Sequence, residues 1–273
     1  GGGAGAAGNA LDLSAIAAAR TITLTNDATV NGITGTGGNG LGFAGIDASA
    51  AATIGGGFNN IERIDASAAA TTNILNAQPV DAGSANPLAG TVVLQGTNST
   101  FAAGGETLTF NDFQAVNTGV LNDTVTVVSD VTVDLTTGPG ADTLTVNAGI
   151  TLGDATVPAG FNVDMGSDDD TVTLNANARI AGSVLLGFGA DSIELQNQAT
   201  IGGFVQGDPT AVGADGVDTL NFETYTTARN VTVTDATLNT AAIPQLIGFT
   251  GTEASITGGF TAIDFIIASS RNS

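Results

Sequence analysis

Cysteine, histidine, lysine and tryptophan are all absent from this 273-residue sequence. Without cysteine the chain has no disulfide framework and no thiol chemistry. Without histidine it lacks the commonest general base and a frequent metal ligand. The lack of lysine excludes Schiff-base chemistry and a lysine-dependent phosphate-binding loop. Because most catalytic machinery needs one of these side chains, we predict that the protein is not an enzyme.

Positive charge is almost as scarce. The only basic residues are five arginines, against 26 acidic residues, and the formal net charge is -21. Such a chain repels nucleic acid and anionic membranes. No stretch approaches the roughly 20 apolar residues of a membrane helix, so we predict no direct membrane insertion. Carboxylate and carbonyl oxygens suit hard cations, of which calcium is the expected example.

The residues that are abundant favour strands and turns. The chain is 42% hydrophobic, and it contains 39 glycines together with many threonine, asparagine and aspartate residues. This composition supports a buried core built from short strands rather than helices. It predicts an all-β protein.

Two families of internal repeats run along the chain. The octapeptide IDASAAAT occurs at Ile46–Thr53 and at Ile64–Thr71, an offset of 18 residues, and Leu11–Ala15 is a looser relative. Residues 170–184 align without a gap on residues 191–205, an offset of 21 residues. Apolar positions fall on apolar positions throughout the second alignment, and polar and apolar residues alternate within each unit as in a half-buried strand.

Strands this short cannot each bury a face alone, but stacked coils can. We therefore predict a right-handed parallel β-solenoid with about 18–21 residues per coil. Residues 1–273 are expected to form one continuous solenoid, with coils of about 18 residues in 1–120 and of about 21 residues in 121–273. Longer gaps are expected to hold insertions around Pro158 and Pro209. A β-sandwich is the structural alternative, although it usually carries aromatic core residues.

A glycine-rich turn precedes most of the aspartates that start the repeat units. Examples are Gly138–Asp142 (GPGAD), Gly166–Asp170 (GSDDD) and Gly187–Asp191 (GFGAD). The pattern G-x-G-x-D resembles the core of the RTX calcium-binding nonapeptide. RTX repeats recur every nine residues, whereas here the motif occurs once per coil. The sequence is therefore more similar to dispersed variants in bacterial S-layer proteins, large secreted adhesins and haemagglutinin-like β-helices. This resemblance implies a secreted, cell-surface location.

Equivalent positions of a solenoid stack about 4.8 Å apart, so these aspartates are expected to form one column. Their mutual repulsion would be relieved by calcium bound between coils, and glycine carbonyls would complete its coordination shell. The alternative is that these residues only shape turns. The candidate calcium ligands are Asp142, Asp168, Asp169, Asp170, Asp191, Asp215, Asp218, Gly140 and Gly189.

The pattern favours a non-catalytic structural component of a bacterial cell surface, such as an S-layer, a surface filament or an adhesin rod. Its expected partners are copies of itself and cell-surface or environmental polysaccharide. The first alternative is a glycan- or ice-binding adhesin module, because threonine is frequent at outward strand positions. The second is a β-helix polysaccharide-degrading enzyme, which would need a pair of carboxylates at a defined separation. The sequence begins GGGAGAAG rather than with methionine, so we expect a processed form or a piece of a longer protein.

Overall fold

The structure is a computed structural model that describes residues 9–26, 29–30, 33–34, 42–49, 57–70, 72–78, 87–153, 162–208, 216–238 and 246–268. These residues form strands and turns without an α-helix, which confirms the predicted all-β class. No membrane-spanning helix is found among them. The sequence positions predicted to hold insertions, Pro158 and Pro209, lie outside the described residues, as does Asp215.

The chain divides into two compact units, Gly1–Asp123 and Thr124–Ser273, and each is described by itself. The strands of the first unit are β1 (Ala10–Asp12), β2 (Thr21–Asn26), β3 (Thr29–Val30), β4 (Ile33–Thr34), β5 (Phe43–Asp47), β6 (Phe58–Ile61), β7 (Arg63–Asp65), β8 (Ile74–Asn76), β9 (Thr91–Leu94), β10 (Ser99–Ala103), β11 (Glu106–Asn111) and β12 (Ala115–Asn117).

The strands of the second unit are β13 (Thr124–Val127), β14 (Asp134–Thr136), β15 (Thr143–Val146), β16 (Thr151–Leu152), β17 (Asn162–Asp164), β18 (Thr171–Leu174), β19 (Arg179–Ile180), β20 (Ser183–Leu185), β21 (Ser192–Leu195), β22 (Thr200–Ile201), β23 (Val205–Gln206), β24 (Thr219–Asn221), β25 (Thr232–Leu238), β26 (Leu246–Glu253), β27 (Ile256–Ile263) and β28 (Phe265–Ile267).

The first unit mixes parallel and antiparallel pairing. Strand β7 lies between β1 and β11, and β8 lies between β2 and β12, all in parallel. Antiparallel pairs join β9, β10 and β11 into a meander and join β2, β5 and β6 into another. Hydrogen-bonded side chains on the parallel strands are 41, 46 or 53 residues apart in sequence. The predicted 18-residue offset is therefore not that of any described parallel strand pair in this unit.

The second unit is built from strands that pair in parallel with their equivalents in the next repeat. Strands β18, β19 and β20 pair with β21, β22 and β23, respectively, at the predicted offset of 21 residues. Strand β15 pairs with β18 at an offset of 28 residues, and β21 pairs with β24 at an offset of 27. The ungapped alignment in the sequence thus corresponds to direct stacking of three strands per repeat.

The alternation predicted for these strands is also confirmed. Val172 and Leu174 are fully buried, whereas Thr171 is exposed and Thr173 is half-buried. The parallel register places Leu144, Val172 and Ile193 in one row, and all three are fully buried. Removing these apolar side chains from water is the main favourable contribution to the folding of the unit.

Between β24 and β28 the chain makes an antiparallel meander, β25–β26–β27. Its last strand returns to the parallel stack, because Ile256 pairs with Ile201 and Phe260 pairs with Val205. Arg229, just before the meander, forms an ion pair with Glu253, and its side chain is 12% exposed while that of Glu253 is 1% exposed. The guanidinium carbon lies 4.2 Å from the ring centre of Tyr225.

Replacing Arg229 by alanine should destabilise the protein by about 3 kcal/mol, because the buried Glu253 carboxylate loses its cationic partner. Chemical denaturation followed by circular dichroism would measure the loss. Arg63→Ala is the matched control, since Arg63 pairs with Asp65 but its side chain is 48% exposed. We expect that change to leave the free energy of unfolding nearly unchanged, because solvent screens the exposed ion pair. Equal losses of unfolding free energy in the two variants would show that burial of the ion pair does not determine its contribution to stability.

Candidate functional site

Four of the predicted calcium ligands do form one column. Asp142, Asp170, Asp191 and Asp218 each immediately precede a strand, and those strands, β15, β18, β21 and β24, pair in parallel register. All four residues are at most 1% exposed. The column therefore lies inside the protein. This burial was not expected, because the sequence places these aspartates beside glycine-rich turns, and turns are usually exposed to solvent.

A repeated hydrogen bond links successive members of the column. The backbone N–H of Asp142 donates to Oδ1 of Asp170 at 2.7 Å. In the same way the N–H of Asp170 donates to Oδ1 of Asp191 at 2.7 Å, and that of Asp191 to Oδ1 of Asp218 at 3.1 Å. Each carboxyl thus satisfies an N–H of the preceding repeat that the turn would otherwise leave buried and unpaired.

The same pattern adds a fifth member that the sequence argument missed. The N–H of Asp218 donates to Oδ2 of Asp264 at 3.0 Å, and Asp264 directly precedes β28, which pairs with β24. The sequence signal was an aspartate followed two residues later by an apolar residue, Ile266. It was obscured because the meander separates Asp264 from Asp218 by 46 residues. We call the five residues Asp142, Asp170, Asp191, Asp218 and Asp264 the aspartate column.

Burial strongly affects the ionisation of the three central members of the column, Asp170, Asp191 and Asp218. It raises the pKa of Asp170 to about 8, with a further contribution from the negative charges of Asp191, Asp142 and Asp168. Burial also raises the pKa of Asp191 to about 7 and that of Asp218 to about 7. Desolvation disfavours the charged form of a carboxyl, and like charges nearby act in the same direction. Near neutral pH the carboxyls of Asp170, Asp191 and Asp218 are therefore protonated to a large extent.

Two neighbouring residues within the column, Asp170 and Asp191, each carry a carboxyl oxygen that has no hydrogen-bond partner among the described residues. These oxygens are Oδ2 of Asp170 and Oδ2 of Asp191, and both are buried. In contrast, both oxygens of Asp218 accept backbone N–H groups, Oδ1 from Asp191 and Oδ2 from Asp208 at 3.0 Å. Because a buried acceptor without a partner is costly, the two oxygens mark a place where a proton or a cation would be stabilising.

The remaining acidic residues of the cluster face solvent. Asp168 and Asp169 are exposed, and their carboxylates accept backbone N–H groups from other repeats, of Gly140 at 3.1 Å and of Ala190 at 2.9 Å. These two residues thus cap glycine-rich turns, as the turn-forming alternative expects. They lie beside the column without being part of it.

Gly140 and Gly189 occupy equivalent positions, each two residues before a member of the column. Both adopt left-handed backbone angles, with φ of 128° and 136°. Asp168 holds the corresponding place in its own repeat and also has a positive φ, of 81°. The backbone turns inward at these points, which brings the following aspartate under the next strand.

The residues of the column bear on the calcium prediction in two ways. No group of three or more acidic side chains that could hold a metal ion occurs in the described residues. The two partnerless oxygens of Asp170 and Asp191 come from adjacent repeats. Parallel strands lie about 4.8 Å apart, which is twice a typical calcium–oxygen distance of about 2.4 Å.

Comparison of the chain with protein-family models, with curated proteins and with solved structures finds no match.

Proposed function

We propose that the chain is a non-catalytic structural element of a bacterial cell surface, built as a right-handed parallel β-solenoid and located outside the cell. The observation that carries this proposal is the stacking of strands in the second unit. Three strands per repeat pair with their equivalents at an offset of 21 residues, and the core between them is fully buried. Such stacking gives stiffness along the stack because each repeat contacts its neighbours.

The distribution of acidic groups supports a structural role rather than a catalytic one. A glycosidase needs two carboxyls that face a shared substrate space. Here Asp170 is buried beneath a strand, whereas Asp168 and Asp169 bond to turn N–H groups. The carboxyls of this cluster thus form hydrogen bonds to the backbone of adjacent repeats.

Self-association into a filament or lattice is part of the proposal. Strand β28 pairs with β24 on one side, and no described strand pairs with its other edge. Its first residue, Phe265, is 57% exposed. An open parallel edge accepts a further strand, whether from the same chain or from a second copy.

Electron microscopy and light scattering of the purified chain would test self-association. We expect filaments or sheets that grow with protein concentration. Ile266→Pro removes the N–H donor of the middle residue of β28 and should reduce assembly. Thr234→Pro, in the exposed strand β25, is a matched control that should leave assembly unchanged. A chain that stays monomeric at all concentrations would contradict the proposal.

Calcium bound at the aspartate column is the second part of the proposal. Asp170 and Asp191 would hold the ion through their partnerless oxygens, and the ion would neutralise charge that burial otherwise disfavours. Binding to the folded state alone stabilises a protein by about 2.7 kcal/mol when the ligand concentration is 100 times its Kd. Calcium should therefore raise the Tm, and more so above about pH 8, where protons compete less.

The measurement is thermal unfolding with and without calcium chloride at alkaline pH. The double variant Asp170→Asn, Asp191→Asn should lose the rise in Tm. Asp130→Asn is the control, because Asp130 is exposed and its carboxylate accepts the N–H of Thr151 at 2.7 Å outside the column. An equal rise in the double variant would assign calcium to another site, and no rise in the unaltered chain would contradict calcium binding.

A further inference from the structure

A polar groove lies in the first unit. The groove is open to solvent, and its volume of about 540 Å³ is within the range of small-ligand sites. The groove forms where the parallel strands β1, β7 and β11 end and the 96–98 turn between β9 and β10 folds over them. We define the polar groove by six of the residues that line it, Asp12, Arg63, Asp65, Asn98, Asn111 and Asp112.

The strand register builds the floor of the groove. Asp12 pairs with Asp65, and Asp65 pairs with Asn111, so three polar residues of successive parallel strands lie in one row. The Asn111 amide nitrogen donates to Oδ1 of Asp65 at 2.7 Å, and the Asn111 amide oxygen accepts the N–H of Asn98 at 2.5 Å. These bonds fix the row and hold the turn against it.

Other polar atoms of the groove stay available to a ligand. Arg63 uses its Nε to bind both oxygens of Asp65, at 3.0 and 2.8 Å. Its terminal Nη groups form no hydrogen bond within the described residues, and its side chain is 48% exposed. The Asp112 carboxylate and Oδ2 of Asp12 likewise have no hydrogen-bond donor there. The groove thus offers two acceptors and a forked donor around one space.

We propose that the polar groove binds a neutral saccharide. Adjacent sugar hydroxyls both donate and accept hydrogen bonds, and carboxylates beside a guanidinium supply the complementary groups. The groove holds three carboxylates against one guanidinium, so it repels uronic acids and other anionic glycans. None of the described residues that line it is aromatic, so recognition depends on hydrogen bonds rather than on stacking. The proposal does not depend on the structural role of the second unit.

Titration calorimetry of the whole chain against a panel of sugars tests this inference. The panel contains methyl glycosides of glucose, galactose, mannose and N-acetylglucosamine and their β-linked disaccharides, with glucuronate and galacturonate as anionic counterparts. We expect saturable binding of at least one neutral sugar and none of the acids. Asp112→Ala and Asp12→Ala should each weaken binding about tenfold, the usual effect of losing a hydrogen bond to a charged group.

Glu223→Ala is the matched control, because Glu223 is an exposed carboxylate of the second unit and should not affect affinity. Circular dichroism melts of all variants distinguish lost contacts from lost folding. Three results would each overturn the inference: no saturable binding of any neutral sugar, unchanged affinity in both groove variants, or preferential binding of the acids. Since self-association is measured separately, a failure here leaves the structural proposal standing, and the reverse also holds.

Discussion

Raising the pH from about 5 to about 9 should destabilise the folded protein by several kcal/mol. The cause is the aspartate column. Burial raises the pKa of Asp170 to about 8 and the pKa values of Asp191 and Asp218 to about 7, from an ordinary value of 3.8. The folded state therefore keeps protons that the unfolded state has already released.

The sign of the effect follows from proton linkage. Stability changes with pH according to the difference in bound protons between the unfolded and folded states. Between about pH 4 and pH 8 the folded state binds more protons at the column, so stability falls as the pH rises. Below about pH 4 both states hold these protons, and the contribution of the column is then fully present. Above about pH 8 both states have lost them, and the loss of stability levels off.

Urea denaturation at a series of pH values without calcium would measure this profile. The double variant Asp170→Asn, Asp191→Asn should flatten most of it, because an asparagine oxygen still accepts the backbone N–H and its amide does not titrate. Asp130→Asn should leave the slope unchanged. A profile that rises with pH, or one that persists in the double variant, would show that the column does not hold its protons.

Replacing Gly187 by alanine should cost more than about 4 kcal/mol and abolish cooperative unfolding of the second unit. Gly187 has a φ of 100°, and an added Cβ would lie 2.0 Å from the carbonyl oxygen of Gly166 in the neighbouring repeat. That oxygen accepts the N–H of Phe188 at 3.0 Å, so it cannot move without breaking the bond between repeats. A fixed backbone clash of this kind is far worse than ordinary overpacking.

Gly149→Ala is the matched control. It separates the cost of a steric clash with the neighbouring repeat from the cost of a positive φ at a residue with a side chain. Gly149 also has a positive φ, of 72°, but an added Cβ there meets nothing within 4 Å. We expect it to cost only about 1 to 2 kcal/mol, the penalty of a left-handed backbone at a residue with a side chain. Thermal unfolding of both variants makes the comparison, and equal losses would contradict the close approach of the two turns.

The second unit was predictable because its periodicity is local. Thr171–Leu174 and Ser192–Leu195 alternate polar and apolar residues and align without a gap, so the offset in sequence equals the offset in space. The column followed from the same register. Its burial was not predictable, because an aspartate after glycines looks the same whether its carboxyl faces water or a backbone N–H.

The first unit could not be predicted in the same way. The two copies of IDASAAAT appeared to be neighbouring coils, yet Ile64 pairs with Leu11 and Phe110, while β5, which carries Ile46, pairs in antiparallel fashion with β2 and β6. The looser relative Leu11–Ala15 is thus a true stacking partner of the second copy. Two segments with similar sequences occupy similar environments in the fold. The similarity does not identify the distant strand with which each segment pairs.

Sequence reasoning also missed the polar groove. Its row of Asp12, Asp65 and Asn111 comes from strands far apart in sequence. The repeated aspartate after an apolar residue is visible in the sequence, but aspartate is more typical of turns than of strands. Both aspartates instead end strands, and the third member of the row is an asparagine that no repeat identifies.

The interval between Asp218 and Asp264 has a practical consequence. Forty-six residues and a whole meander separate these two members, yet the N–H of the first still reaches the carboxyl of the second. A foreign peptide inserted into this interval should therefore leave the pairing of β24 with β28 intact. Duplicating a 21-residue segment such as 170–190 should likewise lengthen the stack by one repeat, because each repeat forms its hydrogen bonds with the adjacent repeats.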